Sequence, residues 1–189
     1  MNLLDQLKEY KPFNSQEERD QKQFIDFLLN NTNAYKRENE KGHVTSSCWI
    51  MNKERNKVLM CYHNIYDSYS WLGGHNDGDI DCLNVSLKEL KEESGLNEIK
   101  LIYNGIYSIE ILSVKKHFKN NKKVKEHKHY NITYLFECDE NETLKIKSDE
   151  NKDLKWFFID ELEKYIKEKG MYNKVYLKLI KKYKKTVNN

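Results

Sequence analysis

The chain has 189 residues, a length for one domain or for one domain with a helical extension, and its 12% aromatic content supplies large side chains for a core despite a mean hydropathy of −0.92. Lys+Arg 33 against Asp+Glu 30 leaves a net charge of only +3 with the signs interspersed, which argues against a nucleic-acid duplex as partner. No apolar run approaches the roughly 18 residues of a membrane span, the N-terminus lacks a signal-peptide core, and Cys48, Cys61, Cys82 and Cys138 contain no C-x-x-C pair. A cytosolic, cytoplasmic protein without disulfides or a thiolate metal site is the expectation.

In chain order, Leu3–Tyr10 shows a helical pattern that stops near Pro12, and Ser15-Gln16-Glu17-Glu18 reads as a capping box. The helix it opens carries Phe24, Ile25, Leu28 and Leu29 on one side. Residues 1–40 are read as an N-terminal helical extension and 41–189 as the main domain. His43–Met51 and Lys57–Tyr62 are strand-like runs flanking a polar turn at Asn52–Asn56, so a hairpin is expected. Tyr69–Leu72 is a short aromatic strand leading into Gly73-Gly74. A helix from about Cys82 to Ser94 follows, capped by Asp79 or Asp81 and ended by Gly95. Ile99–Tyr103, Ile106–Val114, Tyr130–Cys138 and Leu154–Ile159 are strand-like, and Asp160–Lys169 and Tyr172–Lys184 are helical. Lys115–His129 and Lys178–Lys185 are locally basic, read as a solvated loop and a solvated helix face. Strands on either side of one central helix predict a mixed α/β or α+β sandwich; the regular alternation of a Rossmann sheet is missing.

Only seven glycines occur, and four of them (Gly73, Gly74, Gly78 and Gly95) fall within one stretch of 23 residues. Gly73-Gly74 after a strand permits a tight turn and a close approach of backbone to a ligand. On the helix that follows, about 100° per residue sets Glu89, Glu92 and Glu93 on one face, and Leu83, Leu87 and Leu90 on another. The leucines are expected to form the buried stripe and the glutamates a face free for chemistry. Lys88 can pair with Glu92, whereas Glu89 and Glu93 are like charges one turn apart, unfavourable unless a cation sits between them. Clustered oxygen ligands suit a hard ion such as Mg²⁺ or Mn²⁺.

Gly73-Gly74…Asp79…Lys88-Glu89-Leu90-Lys91-Glu92-Glu93-Ser94-Gly95-Leu96 resembles the box of the Nudix hydrolases, G-x5-E-x7-R-E-U-x-E-E-x-G-U with U aliphatic. Every specified position from Glu89 to Leu96 matches. Two positions depart. The loop acid, Asp79, comes one residue early, with the total spacing to Lys88 kept, and Lys88 replaces an arginine whose planar fork a lysine cannot reproduce.

The resemblance implies an α/β/α sandwich with a mixed β-sheet. It further implies Mg²⁺-dependent (or Mn²⁺-dependent) hydrolysis of a diphosphate linkage in a nucleoside diphosphate derivative, by metal-activated water attack on phosphorus. Glu89, Glu92 and Glu93 would then be metal ligands, with the Gly73 carbonyl as a backbone ligand. Glu89 or Glu93 would be the base and Lys88 a catalytic neighbour, while Glu150, Asp149 or Glu140 are alternative bases. Gly74, His75, Asp79, His127 and His129 are candidates for the loop and the substrate, and Tyr69 or Trp71 for stacking on a base. A small nucleotide-type molecule is the expected partner, with no membrane; oligomeric state stays open, a homodimer included. Two other readings stand beside this one: a non-catalytic nucleotide-sensing module, and an isopentenyl-diphosphate isomerase, whose central Cys and Glu motifs are not evident.

Overall fold

Asn2 and Asn14 open the first two helices, α1 (Leu3–Glu9) and α2 (Ser15–Asn30), in a computed structural model that describes residues 1–64, 67–119, 122–147 and 151–187. The Asn14 side chain accepts from the Glu17 N–H at 2.9 Å, so Asn14 is the cap and Ser15 the first helical residue, and the helix begins one residue earlier than the capping-box reading has it. Glu17 has a different task. Its buried carboxylate accepts from the Tyr10 hydroxyl (2.6 Å), the Phe13 N–H (2.7 Å) and the Ser108 hydroxyl (2.8 Å), tying the α1–α2 link to a strand about 90 residues on. Glu17→Ala removes an acceptor shared by these three donors, and we expect a loss of about 3 kcal/mol in urea unfolding; a loss below about 1 kcal/mol would refute the tie. The buried face of α2 is Phe24 and Phe27, Phe27 stacked on Tyr130 and Phe24 tilted against it, while Leu29 is 64% exposed, so the expected apolar side is rotated.

The chain divides into two compact units. The first comprises residues 1–47, 73–86 and 105–134. Within it, β1 (Gly42–Asn52) lies between β4 (Leu72–His75) and β9 (His127–Cys138), and β6 (Ser108–Val114) pairs antiparallel with β9, Ser108 opposite Thr133 and Val114 opposite His127. Thr45 and Ser47 of β1 both donate to the Asn131 side chain, which donates in turn to Glu110. The basic stretch read as a loop contains a small hairpin, β7 (His117–Lys119) paired with β8 (Lys122–Val124).

The second unit comprises residues 48–72, 87–104 and 135–189. The expected hairpin forms: β2 (Lys57–His63) pairs with the end of β1 through Val58 and Met51, and β10 (Asn151–Phe158) pairs antiparallel with the other edge of β2. β3 (Ser68–Ser70) also pairs with β2, and β5 (Ile99–Leu101) with the end of β9. The strand expected over Tyr69–Leu72 is broken at Trp71, because the Trp71 N–H is directed to the Tyr176 hydroxyl (3.3 Å) rather than to a strand. The helix expected over Asp160–Lys169 is a 3₁₀ segment, Ile159–Lys164. α4 (Lys169–Met171) then runs through a π-type turn, Tyr172–Tyr176, into α5 (Leu177–Val187). The turn seats fully buried Tyr176 against Trp49 and Trp71. On α5, Lys178 and Lys182 are only 5% and 8% exposed, so this basic run is not the solvated face its composition suggests. All four cysteines are free and buried. The fold is α+β with a mixed sheet.

Candidate active site

The central helix, α3 (Cys82–Ser94), has the expected limits. Of the two acids proposed to cap it, Asp81 does so: its side chain accepts from the Asn84 N–H at 3.0 Å and its carbonyl from the Val85 N–H. Asp79, exposed, accepts from the Asp81 N–H and closes the preceding turn. Gly95 ends the helix at φ 73°, and its N–H bonds the Lys91 carbonyl.

The faces differ from expectation. Cys82, Val85, Ser86, Leu90, Glu93 and Ser94 are the buried positions, while Leu83 and Leu87 are half-buried. The buried arc is therefore centred nearer the glutamates than the leucines, and Glu93 lies inside it, 4% exposed. Its Oε1 accepts from the Asn151 side chain at 3.2 Å. Glu89, one turn earlier on the same side, is half-buried. Glu92 is exposed, 3.9 Å from the Lys88 ammonium and 4.0 Å from that of Lys147. Lys88 therefore pairs loosely with Glu92, as the i, i+4 spacing suggested. Two carboxylates one turn apart, one of them buried and bonded by an amide, offer the oxygen donor type that hard ions such as Mg²⁺ or Mn²⁺ take.

Among the alternative bases, Glu140 is engaged by the hairpin, accepting from the Lys57 ammonium (2.6 Å) and the Asn52 amide (3.3 Å). Asp149 and Glu150 lie outside the described residues. Tyr69 donates to Asp153 at 2.6 Å and sets its ring edge-on to Phe157, and Trp71 lies edge-on to Tyr176, so both aromatics have ring partners in the protein.

The glycine pair is not at a turn. Gly73 and Gly74 lie in β4, and Gly73 is required there on two counts: its φ is 145°, and a Cβ would fall 2.4 Å from the Ser46 carbonyl oxygen. The turn comes later: Asp77 and Gly78 have positive φ, and the Asp79 N–H bonds the Asn76 carbonyl. Buried Asn76 holds it by accepting from the Ser46 hydroxyl and donating to the Asp79 carbonyl.

Three of the sequence candidates meet in the first unit. His127 and His129 project from the same side of β9, their Nε2 atoms 3.2 Å apart, and His75 on β4 packs edge-on against His129 with ring centroids 4.9 Å apart. A fourth imidazole, His43 at the start of β1, completes the group and was missed, since a lone histidine at the start of a strand carries no spacing signal. Burial, then the neighbouring His127, lowers the His43 pKa to about 4, against a weak opposing pull from the Asn39 backbone. His129 is pushed further down, by burial first and then by His75 and His43. Cys82 is driven the other way, up to about 11 by burial, which leaves an unreactive thiol.

An α+β fold whose central helix carries carboxylates and follows a glycine-bearing strand is the arrangement of a Nudix-type domain. The NUDIX domain family model matches residues 41–179, and the chain belongs to the Nudix family of hydrolases acting on pyrophosphate bonds. Among solved structures it is similar to a NUDIX-family hydrolase from Clostridium perfringens (23% identity, 72% of this chain and 95% of that one, TM-score 0.51). It is also similar to a C. elegans Ap4A hydrolase binary complex (15% identity, 76% and 98%, TM-score 0.53). A UDP-X diphosphatase matches at 18% identity over 96% of this chain and 77% of that one, with a TM-score of 0.53. At these identities the structural likeness establishes the fold alone. No match was found among curated protein sequences.

Proposed function

We propose that the protein hydrolyses a diphosphate linkage in a nucleoside diphosphate derivative, with Mg²⁺ or Mn²⁺ held by Glu89 and Glu93 and bordered by Glu92. The observation that carries this reading is the placement of Glu93, buried on α3 with an amide donating to one oxygen while Glu89 stands one turn away on the same side. The resemblance adds the Gly73 carbonyl as a backbone ligand and Gly74 as a place of close substrate approach. When bound, the metal offsets the charge of the diphosphate and makes a water more acidic. Glu93 or Glu89 takes the proton of the attacking water, and Asn151 holds the Glu93 carboxylate in place through Oε1. Lys88, loosely paired with Glu92, supplies a point charge at the exposed edge of this face.

Residues 1–40 serve in this reading as an extension of a domain spanning 41–189. The 96% coverage in the UDP-X diphosphatase match, a share that 41–189 cannot reach by itself, supports an extension that is part of the fold. No described helix is long and apolar enough to cross a membrane; a cytosolic site of action belongs to the same proposal.

The test is release of phosphate or nucleoside monophosphate from nucleoside triphosphates, ADP-ribose, dinucleotides and nucleotide sugars, with Mg²⁺ and then with EDTA. Turnover of at least one class is expected, and its disappearance with EDTA. Nucleotide binding in calorimetry without turnover of any of them would establish the non-catalytic module instead.

A further inference from the structure

We propose that His43, His75 and His129 form a second metal site, a three-imidazole site for a first-row transition ion of the Zn²⁺ class. It is distinct in chemistry from the hard-oxygen carboxylates of α3.

The argument rests on geometry within one unit of the chain. His43 opens β1, His75 ends β4 and His129 lies on β9, and one ring nitrogen from each falls within 4.8 Å of the others. The strands hold these positions: a Cβ on Gly42 would meet the Lys128 carbonyl oxygen at 2.5 Å, so β1 and β9 approach closely beside His43. Tetrahedral metal–imidazole distances of about 2.0–2.1 Å bring ligand nitrogens to somewhat over 3 Å apart. Small rotations about χ1 and χ2 close the observed set onto an ion.

A second observation is independent of the clustering. His43 is 4% exposed, and among the described residues neither ring nitrogen makes a hydrogen bond of good geometry, the Asn39 backbone coming near the ring without closing one. Buried polar atoms are rarely left so, because each orphan costs about 1–3 kcal/mol, and a role in holding an ion is one of the ordinary reasons. A buried ring with a nitrogen within 4.8 Å of those of two further imidazoles has the surroundings of a ligand.

His127 sets the tautomer. Its Nδ1 lies 2.9 Å from the Lys125 carbonyl, which can only accept, so Nδ1 carries a proton. In neutral His127 the lone pair is then on Nε2, which accepts from the Nε2–H of His129 at 3.2 Å. That leaves the His129 lone pair on Nδ1, the nitrogen through which it ligates. His127 is thus a positioning residue, the outer partner that metal-bound histidines ordinarily have. The low pKa values of His43 and His129 agree with rings that are neutral at pH 7 and ready to donate lone pairs. Three neutral imidazoles with no carboxylate select Zn²⁺, Co²⁺, Ni²⁺ or Cu²⁺ over Mg²⁺.

The test uses the full chain stripped with EDTA. One equivalent of Zn²⁺ is expected to survive gel filtration, and Co²⁺ should give visible absorption bands of nitrogen ligation that Zn²⁺ displaces. Proton NMR of the Co²⁺ form is expected to show strongly shifted exchangeable imidazole N–H signals, a readout that needs no variant. His75→Gln and His129→Gln should each lose the retained equivalent, and His127→Gln should weaken binding by about 10- to 100-fold. Glu89→Gln and Glu93→Gln should keep it, which separates this site from the carboxylate set and from any failure of the hydrolase reading. Retention of Zn²⁺ by both histidine ligand variants, or Co²⁺ binding without shifted imidazole signals, overturns the proposal, as does the absence of a retained equivalent in the unaltered protein.

Discussion

Glu93→Gln is expected to lower Mg²⁺-dependent turnover by about 10³-fold, close to 4 kcal/mol of activation free energy. The substitution keeps the size of the side chain and removes the charge that a divalent ion and a reacting water require. Because Glu93 is 4% exposed and accepts from the Asn151 amide at 3.2 Å, glutamine can retain that bond through its own oxygen, and the fold should stand. The measurements are kcat on whichever substrate class the panel identifies, and the thermal midpoint of the variant. Full turnover in a folded Glu93→Gln protein would remove Glu93 from the chemistry. A fall in turnover that tracks a fall in the midpoint would make its role structural.

The second large effect concerns stability. Gly73→Ala is expected to cost about 3–5 kcal/mol, combining a backbone conformation that L side chains rarely adopt with an overpacked neighbour. At φ 145° the added Cβ would sit 2.4 Å from the Ser46 carbonyl oxygen and 2.6 Å from Ser47 Cα, both backbone atoms. β1 cannot easily yield, since buried Thr45 and Ser47 donate to Asn131, and Asn131 donates to buried Glu110. Gly170→Ala is the contrast, an exposed position in α4 with nothing within 4 Å of its Cβ, where the change should be neutral or slightly stabilising. Chemical denaturation of both variants checks the pair; equal midpoints would show that β1 and β4 are not in close contact at Gly73.

Much of the central segment was legible because its signals are local. The limits of α3 follow from an acid at the cap, a helical run and a glycine in the left-handed region, all interactions spanning four residues or fewer. The β1–β2 hairpin was equally readable, from two strand-like runs and the polar turn between them. What failed were judgements that depend on distant partners. Leu83 and Leu87 were expected to define the buried side of α3, yet a helical wheel shows only which residues share a side, and the surrounding chain decides which side is covered. Glu93 became buried for that reason. The strand through Trp71 stopped because its N–H goes to Tyr176, a residue 105 positions away, and Ser15 lost the cap of α2 to Asn14.

The sequence alone determined the glutamate-bearing helix: a run from Glu89 to Leu96 complete at every specified position of the box, in a register that spacing by itself sets, and with it membership of the Nudix family. Only the tertiary structure decided which glutamate is withdrawn from water and which is left at 3.9 Å from a surface lysine. It also decided that His43, His75 and His129, spread over 87 residues of chain, meet within 4.8 Å. The difference is physical. Helical register is fixed by bonds four residues long, whereas burial and ligand geometry are fixed by strands that the chain brings together across tens of residues, along with the desolvation that comes with them.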